Sequence, residues 1–226
     1  MQGKIVVVTG ASGALGKVVV ASALAKCAKV AGIDHAATTI KPTAERIELG
    51  GVDLTDANEA KKAIDATAAH FGRLDALVNI AGGFAFETTS EGDPKTWQRM
   101  YALNVMTALN ASRAAIPHLA ASPAGRIVNV GAMGAIQAGA GMGPYAASKA
   151  GVHRLTEALA AEWKGKITVN AVLPSIIDTA ANRASMKDAD FSKWVRPEEL
   201  ADVILFLVSN AASAVTGALL PVNGRV

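Results

Sequence analysis

Short runs of β-branched and other apolar residues alternate along this chain with longer, alanine-rich stretches whose apolar positions recur at helical spacing. The apolar runs predict strands at about 4–9, 28–33, 45–49, 74–79, 125–130, 166–172 and 217–222. The alanine-rich stretches predict helices over about 13–26, 56–70, 95–120, 143–163 and 197–209. Asp56 and Pro197 stand where an N-cap and a first helical turn want them. Strands that are apolar throughout, separated by helices, predict an α/β fold with one doubly wound, Rossmann-type parallel sheet of about seven strands. Two segments break the alternation. Residues 35–44 contain Pro42 and are too short for a crossover helix, whereas the polar stretch 175–196 is long for a loop and predicts a lid over a substrate. No repeat or linker divides residues 1–226, so a single domain is expected.

Composition narrows the function. An apolar fraction of 51% supports a large core, and the formal charge of +3 is not clustered: Lys61-Lys62 is the densest basic pair, with acidic residues flanking it. No nucleic-acid surface follows. Cys27 is the only cysteine, which excludes an intramolecular disulfide, suggests no metal site, and is expected as a small buried apolar side chain. The longest apolar run, Val203 to Val208, is far below the roughly 20 residues that span a bilayer. With no signal peptide before the first strand, a soluble cytoplasmic protein and a small-molecule substrate are expected, with no membrane partner.

The chemistry concentrates in two places. Tyr145 and Lys149 lie four residues apart and share a face if 143–163 is helical. An ammonium beside a phenol favours the phenolate, so Tyr145 is expected with a pKa lowered toward neutrality, fit to give and recover a proton. At the other end, the first strand runs into Thr9-Gly10-Ala11-Ser12-Gly13-Ala14-Leu15-Gly16 and then a helix, a turn that lets backbone amides and a helix N-terminus approach a phosphate. Asp34 ends the second strand 18 residues after Gly16, the place of a carboxylate that binds an adenosine ribose. A carboxylate would repel a 2′-phosphate, and no Arg or Lys occupies the turn or follows Asp34 directly, so NAD(H) is favoured over NADP(H). Asp53-Leu54 could meet the adenine, and Asn79-Ile80-Ala81-Gly82 ends the fourth strand where a glycine lets the chain pass close to a cofactor.

Together these motifs resemble the short-chain dehydrogenase/reductase family, in order and spacing along essentially the whole chain. The resemblance implies strand order 3-2-1-4-5-6-7 and a nicotinamide-dependent oxidoreductase. By the same resemblance Tyr145 is the proton donor, while Lys149 lowers its pKa and holds the nicotinamide ribose. Asn104 anchors a relay water, and Pro174, Ile177 and Thr179 flank the carboxamide. Three positions depart from the family pattern. Ser175 follows Pro174 where glycine is usual, Gly13 and Ala14 displace the middle glycine of the turn, and Ala132 stands 13 residues before Tyr145, where a catalytic serine is usual. The last two departures occur together in the dihydropteridine reductase branch, which this chain also resembles at Ser12–Gly16, Ile33-Asp34, Ala81-Gly82-Gly83, Gly139–Tyr145 and the lid, including Phe191 and Trp194.

The leading expectation is therefore hydride transfer from NADH to a conjugated, pterin-like ring, with Tyr145 as acid. The alternatives are a general alcohol or carbonyl oxidoreductase and a non-catalytic dinucleotide sensor. Ala132, Met133, Phe84, Phe191 and Trp194 are the expected substrate wall, with Phe86 beside Phe84. Trp97, Trp163 and His153 are expected as structural residues. Small apolar residues on several faces of 95–120 and 143–163 suggest a homodimer or homotetramer, as is common in the family.

Overall fold

In the computed structural model, which describes residues 1–226, the first half of the chain forms β1 (Ile5–Thr9), α1 (Ala14–Ala25), β2 (Lys29–Ile33), β3 (Arg46–Leu49), α2 (Ala57–Phe71), β4 (Ala76–Asn79), α3 (Pro94–Tyr101) and α4 (Thr107–Ala121). The second half adds β5 (Gly125–Val130), α5 (Gly143–Glu162), β6 (Ile167–Pro174), α6 (Ala180–Ser185), α7 (Pro197–Val208) and β7 (Leu219–Val222). All seven strands join one sheet, parallel throughout, in the order β3-β2-β1-β4-β5-β6-β7.

Alternation along each strand divides the core between the two faces of the sheet. From β1, Val6 and Val8 pack with Leu15, Val19, Ile204 and Leu207 of α1 and α7. Ile5 and Val7 point the other way, to Ile64 of α2 and Leu119 of α4. Strand order reverses direction at β1 and β4, which opens a crevice at the carboxyl ends of those strands. Local chemistry sets the boundaries. The Asp56 carboxylate accepts from the backbone N–H of Asn58 and Glu59, and α2 stops at Gly72, whose φ of 83° is left-handed.

Four expectations need correction. The helix read over 95–120 is α3 and α4 joined by a π-helical turn, Ala102–Met106, with Asn104 buried inside it. Periodicity does not reveal such a turn, because one wide turn hardly disturbs the spacing of apolar residues. The stretch 175–196 is not free loop: it carries α6 and a 3-10 turn at Phe191–Lys193, and is pinned where Asp178 N–H donates to Val195 O (2.8 Å) and Val195 N–H to Ile176 O (2.9 Å). Cys27 is exposed, because the chain turns there from α1 into β2 with φ 59°, a left-handed conformation that carries the side chain outward. Trp97 is 41% exposed rather than packed away, while Trp163 packs against the core. No helix is long and apolar enough to cross a membrane.

Ile127 sits fully buried in β5, an interior strand of the sheet. Ile127→Ala is expected to lower unfolding free energy by about 2–5 kcal/mol in urea titration; a loss below about 1 kcal/mol would mean that this face of the sheet is loosely packed.

Candidate active site

The crevice is shaped by glycines that no other residue could replace. Gly10 has φ 67°, and a Cβ built there would lie 2.8 Å from the Ala81 nitrogen; one built at Gly16 would lie 2.0 Å from the Gly10 carbonyl oxygen. Thr9 Oγ1 accepts from the N–H groups of Ile80 (3.1 Å) and Ala81 (3.2 Å), locking the two strand ends together. The result is a cleft of about 480 Å³ lined by the predicted Gly10, Ser12, Gly13, Ala14, Leu15, Asp34, Asp53, Leu54, Ala81 and Gly82. No side chain caps the N-terminus of α1 at Gly13, and its first turn carries no acidic residue. A helix end of this kind suits an anionic phosphate. At the far end Asp34 Oδ2 accepts from Ser12 N–H (2.8 Å) and Oδ1 from Ala36 N–H (2.9 Å), which fixes a carboxylate beside the turn. These residues fit a dinucleotide.

Several lining residues escaped the sequence reading: His35, Val52, Thr55, Leu103 and Thr107. Leu103 and Thr107 flank Asn104 at helical spacing, a signal that was available. Asn79 does not line the cleft. It is buried behind it, its Nδ2 donating to Ser112 Oγ (3.1 Å) and Asn129 Oδ1 (2.9 Å), so its part is to brace the wall.

The second half of the site hangs on α5, which carries Tyr145 and Lys149 one turn apart. Lys149 is buried and donates from Nζ to Val130 O at 2.7 Å, which fastens the helix to the end of β5. Burial pushes its pKa down to about 8. Tyr145 goes the opposite way from expectation: burial pushes its phenol up to about 12. Helical spacing conveys the attraction of the ammonium but not desolvation, which disfavours the phenolate. Phe84 stands edge-on to Tyr145 with ring centroids 5.0 Å apart.

Asn104 is a clamp. Its Oδ1 accepts from Gly83 N–H (3.0 Å), and its Nδ2 donates to Gly83 O (3.1 Å) and to Ser148 Oγ (2.9 Å), so the side chain has no spare donor for a relay water. A Cβ at Gly82 would lie 2.4 Å from Asn104 Oδ1 and 3.6 Å from Lys149 Nζ. Gly82 thus joins the dinucleotide cleft to the tyrosine–lysine pair.

Ala132 is buried just past β5, and its N–H donates to His153 Nε2 at 3.3 Å. That bond requires a neutral imidazole, and burial, with the charges of Arg154 and Lys149, pushes the His153 pKa down to about 4. Met133 follows, half-buried, in a 3-10 turn. Of the lid residues, Phe191 is half-buried, but Trp194 is buried against it with centroids 4.7 Å apart, next to Val195 of the core. Trp194 is therefore a packing residue that anchors the 175–196 segment. Pro174 ends β6, Ile177 bridges to Val195, and Thr179 Oγ1 caps α6 by accepting from Asn182 N–H (3.2 Å). These three belong to the segment leaving β6 and do not line the cleft. Ser175, where glycine is usual, donates from Oγ to Asn223 O at 2.8 Å and ties the start of the 175–196 segment to the C-terminal residues.

Comparison with known proteins follows the same outline. The family model described as short chain dehydrogenase matches residues 4–190. A galactitol 2-dehydrogenase (L-tagatose-forming) of Cereibacter sphaeroides is 36% identical over 244 residues, covering 99% of this chain and 95% of its own. The cis-4-hydroxycyclohexanecarboxylate dehydrogenase of Sinomonas cyclohexanicum is 33% identical, covering 98% and 95%. Among solved structures, carveol dehydrogenase from Mycobacterium avium in complex with NAD superposes with a TM-score of 0.87 at 26% identity, covering 99% of this chain and 97% of that one.

The Lys149 pKa, lowered from 10.5 to about 8, gives a signed test. Between those values the unfolded chain binds a proton that the folded chain does not, so folded stability rises with pH across that window. Relative to Lys149→Met, the wild type should gain stability by up to about 1.4 kcal/mol per pH unit there, measured by denaturant titration of both proteins. A difference that is flat with pH would mean that the ammonium is not held in a dry site.

Proposed function

We propose that this chain, which belongs to the short chain dehydrogenase family and is thus an NAD(P)-dependent oxidoreductase, interconverts a secondary alcohol and its ketone with Tyr145 as the acid–base group. The observation that carries this reading is the pair on α5: a half-buried phenol one turn from an ammonium fastened to Val130 O at 2.7 Å.

Gly10, Gly13 and the start of α1 would hold the pyrophosphate, Asp34 the adenosine ribose, and Lys149 the nicotinamide ribose. When bound, the nicotinamide supplies or accepts the hydride at the substrate carbon. With a pKa near 12 in the free protein, Tyr145 is protonated at neutral pH and ready to act as an acid. It gives its proton to the carbonyl oxygen as charge develops there, and the Lys149 ammonium offsets the negative charge left on the phenolate. Asn104 is a positioning residue, holding Gly83 against Ser148 of α5. The segment from 175 to 196 serves as lid to a single-domain enzyme.

Asp34 supports a preference for NADH, because its carboxylate is held where a 2′-phosphate would meet it. Ala132, together with the resemblance of the 175–196 segment, is the argument for a pterin-like substrate. A missing oxyanion donor costs about 10²–10³ in rate with a simple ketone, and less where charge spreads over a conjugated ring. The galactitol and cis-4-hydroxycyclohexanecarboxylate dehydrogenases to which this chain is similar are named for hydroxy compounds, so the alcohol–ketone reading is preferred. The exposed Trp97 on α3, beside Pro144 and Ala147 of α5, supports self-association through these helices.

Tyr145→Phe should lower kcat by about 10²–10⁴ with NADH affinity preserved, as read by steady-state kinetics and cofactor fluorescence; an unchanged kcat would refute the assignment. NADH should bind more tightly than NADPH, and Asp34→Ala should narrow that ratio by about tenfold in direct titrations. An equal loss for both cofactors would assign Asp34 to turn structure alone.

A further inference from the structure

Resting on that reading, we infer that the site takes an uncharged ketone carried on an apolar ring, and discriminates against polyol-derived ketoses and oxo-carboxylates.

Two loops surround Tyr145, one following β4 and one following β5. The parts of these loops that lead to Tyr145, residues 80–86 and 131–145, contain no Asp, Glu, Lys, Arg or His, and Glu87, next along the first loop, turns its carboxylate to the Asp93 N–H. They do contain large apolar side chains left in water: Phe84 is 59% exposed, Phe86 66% and Ile136 63%. Exposed apolar groups scattered singly need no explanation, but Phe84 against Tyr145 and Phe86 against Gly141 bring two such groups together where the loops meet beside a candidate acid, and that marks a binding surface. Their arrangement is fixed before any ligand arrives. Phe84 is held edge-on to Tyr145 at 5.0 Å, and Phe86 is seated over Gly141, where a Cβ would lie 2.4 Å from its ring. Glu87 N–H donates to Gly141 O at 2.8 Å and staples one loop to the other.

Charged groups near the opening are already engaged. Arg183 of α6 donates from Nη2 to Asp178 Oδ2 (2.7 Å) and lies 4.9 Å from the centre of the Phe191 ring. Lys149 is committed to Val130 O, and His153 is buried against the Ala132 N–H. A ketose entering here would bring several hydroxyls and meet the Tyr145 phenol and the Gln137 amide as the polar side chains of these loops. Each hydroxyl that leaves water without a new partner weakens binding. An apolar ring instead covers Phe84 and Phe86 and releases their water. Ala132 fits the same pattern, since a methyl replaces one more hydroxyl in the wall.

The reaction balances without a further reagent. The ketone carbon takes a hydride from NAD(P)H, leaving NAD(P)⁺; the carbonyl π pair moves to oxygen, which takes the Tyr145 proton; the product is a secondary alcohol.

The test compares 1-tetralone with L-tagatose and 4-oxocyclohexanecarboxylate, following NADH oxidation by the full-length protein and ligand binding by calorimetry in the presence of NADH. The expected result is a kcat/KM for 1-tetralone at least about 100-fold above that for either polar ketone. Phe84→Ala should lower that value by about tenfold or more, chiefly through KM, with NADH affinity unchanged and Phe84→Leu partly restoring it. Preference for tagatose or the oxo-carboxylate, abolished by Tyr145→Phe, would overturn the substrate class and leave the oxidoreductase assignment standing. Turnover of 1-tetralone that survives Tyr145→Phe would instead sink that assignment. A Phe84→Ala variant with altered oligomeric mass and unaltered tetralone kinetics would overturn the inference by making the patch a protein interface.

Discussion

A buried ammonium has to be held by an oxygen, and Val130 supplies one to Lys149 at the end of β5. That single contact ties α5 to the sheet at the point where the crevice opens, and fixes Tyr145 one turn earlier on the same helix. Without an acceptor, burying the charge would cost several kcal/mol, and the helix end would be free to lift from the strand. The same dry environment moves the two groups in opposite directions, the lysine down to about 8 and the tyrosine up to about 12. Free of ligand, the phenol therefore holds its proton at neutral pH, as the proposed acid must.

The fold brings the other half of the site to this pair through backbone proximity. Gly10 and Gly16 let β1 turn into α1 within contact of Ala81, and Gly82 then passes beside Asn104 and Lys149. Asn104, set in a π-helical turn between α3 and α4, clamps Gly83 with both ends of its amide and reaches Ser148 of α5. Three separate elements are thus joined at one amide side chain. A turn that departs from regular helix is costly unless it satisfies something, and here it satisfies a buried asparagine.

The strands were legible because a buried parallel strand is apolar throughout, and the glycine turn because only glycine tolerates such close approach, whereas the sheet order came from the family resemblance and not from the pattern. Most of the cofactor-cleft residues were legible for the same reason: Ser12, Asp34 and Leu54 lie at fixed distances from a strand end. What escaped depended on long-range packing. The Tyr145 pKa turns on desolvation, which spacing along a helix does not convey. Trp194 was read from its place in a polar stretch, yet the return of that stretch to Val195 buries it. Cys27 was read from residue type, whereas its position is set by the left-handed turn out of α1. The lid helix α6 is only Ala180–Ser185, too short for periodicity to register.

The central claim is that the Tyr145 phenol is the group that meets the substrate oxygen. A structure of the protein with NADH and a slowly reacting ketone would test it most directly. The account predicts the Tyr145 oxygen within about 2.5–3.0 Å of the carbonyl oxygen, hydrogen-bond distance. A carbonyl oxygen bound by another side chain, with the phenol more than about 4 Å away, would contradict it.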